Sequence, residues 1–382
     1  MNFAMRRKFF IVSAILLAAL ILSGCTGAIA WPGLSATDKV VYLANTTAVF
    51  AIDLESGDEL WSFSGERGGF ALFNTNPSLF VSTPVVTEDG LVIVLDSSNK
   101  HVMYAVDPTD VDEDNHPHIE WKFSDVDGLW IAPPLAVGNR LFAPNSDGNV
   151  YVLDLQDGKS EKSAIKVIEV SKSQEEEVRL WAQPVTDGER LFVTSLDKSV
   201  IAIDLTSYEV LWHEDLGGAV PGGAAVGGDG MLYVGSLAKQ LERFDPVTGA
   251  HESVLDTNGW IWGTPITDGD HLYFADVEGY FYSYNTGEGK LDFDPVKPDA
   301  SITANPLVLG DQVLVATESG GVYSISSDGS YDLWYQPGGD GKAYTTPVTS
   351  GGFVLVAYLE SDYYLVAIDD EGDEQWTYPS GN

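Results

Sequence analysis

Cysteine is almost missing: Cys25 is the single one in 382 residues. The chain can therefore close no internal disulfide and can offer no thiolate cluster to a metal. Basic residues are scarce too, with 20 Lys and Arg against 57 Asp and Glu and a formal charge of −37. Such a balance repels nucleic acid and anionic lipid headgroups, so nucleic acid is not expected as a partner. Beyond residue 25 no segment sustains a 3.6-residue apolar period, which leaves little room for helices. No linker rich in Pro, Ser or charge divides the chain, although it is too long for one ordinary core. There is no Gly-x-x-x-x-Gly-Lys-[Ser/Thr] loop and no Gly-x-Ser-x-Gly elbow, and paired carboxylates are too common here to mark a glycosidase.

What the N-terminus does hold is an export signal. MNFAMRRKFFIVSAILLAALILSGC sets Arg6, Arg7 and Lys8 before an apolar run from Phe9 to Leu22, followed by Leu22-Ser23-Gly24-Cys25. The run is short for a bilayer span, so residues 1–24 read as a signal peptide and stand apart from the fold. Leu-Ser-Gly-Cys in that place resembles the bacterial lipobox, whose cysteine becomes the lipidated first residue of the mature protein. The resemblance implies lipidation at Cys25, a short tether over 25–30, and an extracytoplasmic domain over 31–382. That domain would be tied to the outer membrane facing the periplasm, or to the cell surface. A plain cleaved signal or an uncleaved anchor is the alternative. Arg6-Arg7-Lys8-Phe9-Phe10 loosely resembles a twin-arginine motif, whereas the strongly apolar run favours the general secretory route. Loss of residues 1–24 leaves 17 basic residues against 57 acidic ones, a charge of −40; this suits a solvated surface on an exported protein.

The rest of the chain is a repeat. A Pro after a small or polar residue recurs at Pro84, Pro134, Pro184, Pro265, Pro306 and Pro347; Gly222 to Val226 fills the gap in that series, and Trp31-Pro32-Gly33 begins it. Each start leads to an alternating strand (LVIVL, RLFAP, RLFVTS, MLYVGS, HLYFAD, QVLVAT, FVLVAY), a polar turn and a third strand such as VFAIDL or VIAIDL. A fourth strand follows in several units and carries Trp61, Trp121, Trp212, Trp334 or Trp376. Period-2 alternation with Gly, Asp and Asn punctuation marks antiparallel hairpins. Four short strands repeated eight times predict an all-β, eight-bladed β-propeller of four-stranded antiparallel blades.

Ala-x-Asp-x-x-[Ser/Thr]-Gly-x-x-x-Trp is the phrase that recurs across the third and fourth strands. It is best kept at Ala51 to Trp61 and, with Tyr208 replacing Gly, at Ala202 to Trp212; Ala367 to Trp376 is one residue shorter. A small Ala leaves room for an indole, the Asp can accept hydrogen bonds from turn amides or an indole N–H, and the Gly permits a tight return. Asp53, Gly57, Trp61, Asp107, Trp121, Asp204, Trp212, Trp334, Asp369 and Trp376 are thus expected to staple adjacent blades. The phrase is degenerate elsewhere: Val152-Leu153-Asp154 leads to no Trp, Phe244-Asp245 ends at His251 to Val254, and Tyr284-Asn285 ends near Phe293.

This phrase resembles the tryptophan-docking repeat of the pyrroloquinoline-quinone-type eight-bladed propellers, a family holding both quinoprotein dehydrogenases and BamB-type outer-membrane assembly lipoproteins. The dehydrogenases typically carry a vicinal Cys pair against the quinone and a carboxylate and amide set for Ca²⁺. With one cysteine in the whole chain and no Cys-x-x-Cys-His for haem, no catalytic residue and no cofactor are expected. The resemblance to the assembly lipoproteins implies a non-catalytic, membrane-anchored scaffold, monomeric within a complex. Its partners would be other envelope proteins, among them β-barrel assembly components. A cell-surface propeller that binds carbohydrate or peptide is a second reading, with Trp130, Trp260, Trp262, Tyr280 and Tyr282 as a stacking platform or as blade core. A quinone-dependent dehydrogenase is the third. A seven-bladed ring of the WD40 kind is disfavoured, because its Gly-His and Trp-Asp dipeptides are missing.

Two insertions stand out. VDPTDVDEDNHPH lengthens a hairpin and sets Asp110, Asp112 and Asp114 at alternate positions, as at the start of a calcium loop. Asn115 replaces the usual Gly and the closing Glu falls on Trp121, so a solvated acidic turn is the expectation and no metal site is assigned. His116 and His118 could face one side of an extended segment as a metal pair, or merely decorate the loop. GKSEKSAIKVIEVSKSQEEEVRLW, in the third unit, would be a long hairpin or a surface loop.

Overall fold

A computed structural model describes residues 31–66, 77–168 and 180–379. The export signal, Cys25 and residues 169–179 of the second insertion lie outside the described residues. Blade 1 shows the pattern: β1 (Gly33–Ala36), β2 (Val40–Asn45), β3 (Ala48–Asp53) and β4 (Glu59–Phe63) pair in that order. Every pairing is antiparallel, with Tyr42 opposite both Ser35 and Ala51. Seven more four-stranded sheets of the same order follow, and every regular element among the described residues is a strand. The chain is an eight-bladed β-propeller.

Alternation explains why these segments are strands. Along β2 and β3, nearly every residue is buried because both faces of a blade meet a neighbour. The outer β4 is exposed at Glu59 and Leu60 and buried at Trp61 and Phe63. The core is divided accordingly into eight apolar clusters, each drawing side chains from two adjacent blades. Phe63, Phe80 and Tyr104 join blades 1 and 2, whereas Leu43, Ile52, Leu355 and Leu365 join blades 1 and 8. Burying one such side chain contributes about 1.5–3 kcal/mol, and no blade can realise it alone.

Blades 1 and 8 each use four consecutive strands. Among the described residues no strand is exchanged between blades 1 and 8, and side chains bridge the seam. Thr345 Oγ1 donates to Pro32 O (2.6 Å), Ser350 Oγ to Thr37 O (2.8 Å) and Trp376 Nε1 to Leu54 O (3.0 Å). Tyr378 adds a hydroxyl contact to Glu59 and a ring contact to Phe50 at 5.5 Å.

Because successive strands reverse, the chain enters and leaves every blade at the same rim. This entry rim carries the turns between second and third strands and the segments leading to the next blade. The opposite, docking rim carries the turns between first and second and between third and fourth strands.

Candidate functional site and interaction surfaces

The repeated phrase acquires its geometry at the docking rim. Ala51 faces Trp61 across β3 and β4, and the register shifts immediately afterwards, so that Ile52 faces Glu59. Ala202 and Trp212, Ala367 and Trp376, and Ala105 and Trp121 repeat both features. The bulge turns each indole toward the following blade. There its N–H donates to the carbonyl just after the turn aspartate: Trp61 to Pro108 (3.2 Å), Trp121 to Leu155 (2.8 Å), Trp212 to Pro246 (3.0 Å) and Trp376 to Leu54. The aspartates have a different task from the one that an indole bond would give them. Asp53 Oδ1 accepts the amides of Glu55 and Ser56, Asp204 those of Thr206 and Ser207, Asp369 those of Glu371 and Asp373, and Asp107 that of Thr109. These bonds pull the carboxyls of Asp53 and Asp204 below the ordinary range, chiefly through the Ser56 and Ser207 amides; for Asp107 the Thr109 hydroxyl leads.

Gly57 has φ +74°, and a methyl placed on it would stand 2.8 Å from the ring of Trp376. Glycine is therefore demanded twice, by backbone and by contact. Gly158 under Trp121 and Gly249 under Trp212 are built alike, and Trp334 covers Gly372.

Of the three interfaces whose fourth strand carries no Trp, two are filled in other ways. Phe293 of blade 6 lies over Gly329 of blade 7, taking the place of an indole. Between blades 3 and 4, Tyr208 occupies the glycine position at φ 60°. Arg140 and Lys162 sit over its ring at 5.7 and 5.5 Å, and Lys162 Nζ donates to Ser207 O at 3.1 Å. A cation–π dock thus replaces the indole dock.

Near the axis, the residue before four of the six repeat Pros makes a second set of bonds. Thr264 Oγ1 accepts the Gly223 amide (2.6 Å), Asn305 Oδ1 the Thr264 amide (2.7 Å) and Thr346 Oγ1 the Asn305 amide (3.1 Å), while Gln183 Nε2 donates to Pro134 O (2.9 Å). The signal was visible as a polar residue before five of the six Pros, but its inter-blade partner was not.

The VDPTDVDEDNHPH hairpin is a strap. Its strands run Val102–Val111 and Pro117–Phe123, and its tip folds over blade 1: the Ser62 amide donates to Asn115 O (3.3 Å), His116 Nε2 lies 3.2 Å from Gly65 O, and the His116 ring meets Phe63 at 5.1 Å. Asp112 Oδ1 caps the turn by accepting the amides of Asp114 and His116. Asp110, Asp112, His116 and His118 line a shallow cavity of about 320 Å³. Among the described residues, no group of three or more His, Cys, Asp and Glu side chains is placed to hold an ion. Two Ser, His and Asp clusters stand out among the described residues. At Ser283, His271 and Asp292 the serine hydroxyl donates to the carboxylate itself (2.5 Å), which His271 Nδ1 also meets at 3.0 Å, so the serine has no base. The other is at Ser199, His213 and Asp215. Both contacts, 2.8 Å to Ser199 Oγ and 3.6 Å to Asp215 Oδ1, use the same ring nitrogen. A nucleophilic triad needs the carboxylate on the other nitrogen.

The five aromatics considered for a stacking platform do not form one. Trp130 and Tyr282 are core residues: Trp130 Nε1 donates to His101 O, and Tyr282 OH to Asp276. Trp262 and Tyr280 are half-buried, and Trp260 alone of the five is exposed, at 49%.

With this ring in view, the comparisons are specific. The family model of the outer membrane protein assembly factor BamB matches residues 27–221 and 196–337. The chain belongs to this family. The assembly factor BamB of Xanthomonas campestris pv. campestris is 28% identical over 195 residues, 50% of this chain and 47% of that protein. That of Alkalilimnicola ehrlichii is 29% identical over 150 residues, 38% of each chain. These matches span less than half of each relative's length. The crystal structure of BamB from Moraxella catarrhalis superposes with a TM-score of 0.63 at 16% identity, covering 85% of this chain and 90% of that one. The designed protein Ika8 gives the same TM-score at 11% identity, covering 91% and 96%. Both share the fold.

Proposed function

We propose that this protein is a membrane-anchored, non-catalytic propeller that serves as an interaction scaffold in the cell envelope and takes part in the assembly of outer-membrane β-barrel proteins. The observation that carries the reading is membership of the BamB family over residues 27–337, joined to a complete eight-bladed ring. The relatives it matches are named as assembly factors and not as enzymes. In this reading residues 1–24 are the signal peptide, Cys25 carries the lipid, and the protein works extracytoplasmically as a single copy within a complex. Asp53, Gly57, Trp61, Asp107, Trp121, Asp204, Trp212, Trp334, Asp369 and Trp376 hold blades together and do not touch a partner. Partner contacts then fall to side chains on the two rims and the perimeter.

In-cell crosslinking of the full lipidated chain, followed by identification of bound envelope proteins, tests the role. Recovery of β-barrel assembly components is expected. A two-membrane host that yields none would remove the assembly role. In parallel, Cys25→Ser should move the protein from the membrane to the soluble fraction.

A further inference from the structure

We propose that the seam between blades 5 and 6 is an uncovered dock, and that it seats a tryptophan side chain carried on a basic segment of a partner protein. The proposal rests on the scaffold reading for the existence of a partner; the seat itself follows from the ring's own geometry. Each of the other interfaces has its own cover, an indole, Phe293 or the cations over Tyr208. Blade 6 builds the turn that such a cover rests on. Asn285 Oδ1 accepts the Glu288 amide (2.8 Å) and Asn285 O the Gly289 amide (2.8 Å), as Asp245 O accepts the Gly249 amide (2.9 Å) in blade 5. Gly289 holds φ +67°, beside +74° at Gly57 and +75° at Gly249. A methyl on Gly57 or Gly249 would strike an indole at 2.8 Å, whereas one on Gly289 would meet, its own chain neighbours aside, only Tyr284 Oη at 3.8 Å. Thr286 O stands where the other docks place the acceptor for the indole N–H, and no donor among the described residues reaches it.

The cover is missing because blade 5 has changed the pair that makes it. Arg243 stands where Ala51 and Ala202 stand, Glu252 faces it in place of Trp61 and Trp212, and the register shift has moved to Leu241 and Glu242. Arg243 is held by Asp229 (3.2 Å) and Glu252 (3.5 Å). At blades 4 and 5, Trp212 lies between Phe192 and Phe244, 5.9 Å from each and stacked on the latter. Their counterparts Tyr233 and Tyr284 meet each other at 6.2 Å. The inner part of the slot is thereby closed, and its mouth over Gly289 is open. What lines that mouth sets the occupant. The Tyr284 ring and the bare glycine match an aromatic face, and Thr286 O matches an N–H donor, the combination an indole offers. Glu252, Asp270 and Glu288 stand around it, while Arg243 and Lys290 are already ion-paired, so a positively charged flank on the partner is favoured.

The probe is a Lys-Trp-Lys peptide, blocked at both ends and carrying fluorotryptophan, followed by fluorine NMR against the full chain in detergent, with detergent alone as the blank. Its resonance should broaden with the protein and recover on adding excess unlabelled Lys-Trp-Lys but not Lys-Ala-Lys. Affinity should fall several-fold between about 0.05 and 0.5 M KCl. Gly289→Asn sets a side chain over the turn in a backbone that asparagine tolerates; it should keep the urea midpoint and weaken the probe several-fold. Arg243→Ala combined with Glu252→Trp restores the pair used at the other docks and should bind no probe. Absence of binding to the wild-type chain, equal binding by wild type and Gly289→Asn, or unchanged binding by the double variant overturns the proposal. The assay contains no assembly component, so its failure is separate from a failure of the assembly role, which the crosslinking decides.

Discussion

Replacing Trp376 by alanine should weaken the propeller at one place, the seam between blades 8 and 1. Truncating a large buried aromatic to alanine costs about 3–5 kcal/mol, and a buried hydrogen bond about 1 kcal/mol. Trp376 is half-buried, which places the expected loss near the lower end, about 3 kcal/mol. Trp376→Phe keeps most of the ring contact and removes the bond to Leu54 O, for about 1 kcal/mol. Gly57→Ala attacks the same dock from the other side. It forces a left-handed alanine, about 1–2 kcal/mol, and drives a methyl to 2.8 Å from the indole. Because blades 8 and 1 hold the two ends of the described chain and no connecting segment joins them as one joins every other neighbouring pair, loss of the dock should open blades 1 and 8 before the rest. Urea unfolding followed by far-ultraviolet circular dichroism reads the total loss, and amide hydrogen exchange reads its location. If Trp376→Ala leaves the urea midpoint unchanged, or deprotects all eight blades equally, the seam argument fails.

The other outcomes follow from charge and from the substitute docks. A charge of −37 opposes compaction, so raising KCl from 0.1 to 1 M should raise the melting temperature; an unchanged value would show that local carboxylate bonds outweigh net repulsion. The depressed carboxyls of Asp53, Asp107 and Asp204 contribute stability that is complete above the ordinary aspartate value of about 3.9 and is lost as pH falls through their lower folded values. Acid unfolding should therefore steepen below about pH 4, and Asp53→Asn with Asp204→Asn should flatten that limb in a pH titration of ellipticity. Tyr208→Ala removes the ring beneath Arg140 and Lys162 and should cost about 1–2 kcal/mol in urea denaturation. A neutral result would make that interface indifferent to its dock. Thr264→Val strips the acceptor from the Gly223 amide near the axis and should cost about 1–3 kcal/mol, again measured by the urea midpoint.

Blade number and strand order were legible because each depends on short-range pattern: an alternating run, a turn residue and a spacing. The indole docks were legible for the same reason, since Ala51 and Trp61 lie within one hairpin. Their hydrogen bonds were not, because Leu54 O and Trp376 are joined across the ring closure, and only the bulge fixes the indole's aim. Phe293 and Tyr208 escaped for a related reason. Each meets its partner in the adjoining blade, and a pattern centred on tryptophan does not register another ring or a cation doing the same work. Trp130 and Tyr282 were ambiguous as platform or core because the sequence does not say which aromatics the neighbouring blade will cover.

The residues that repeat and those that do not therefore divide the molecule by task. A ring of eight similar sheets requires the same lock at most interfaces, and that requirement imposes the period on Ala, Asp, Gly and Trp. Nothing in closing the ring requires a strap over blade 1 or an exposed indole at position 260. Those features interrupt the period without adding to the common lock. If the ring serves as the proposed scaffold, recognition falls where the repeat is broken, because a partner that read only the repeated surface would have eight equivalent places to bind. The strap bends over the outer strand of blade 1, where its tip meets Ser62 and Gly65, and Trp260 stands on the entry rim between blades 5 and 6, so the two breaks in symmetry mark different sectors of the disc.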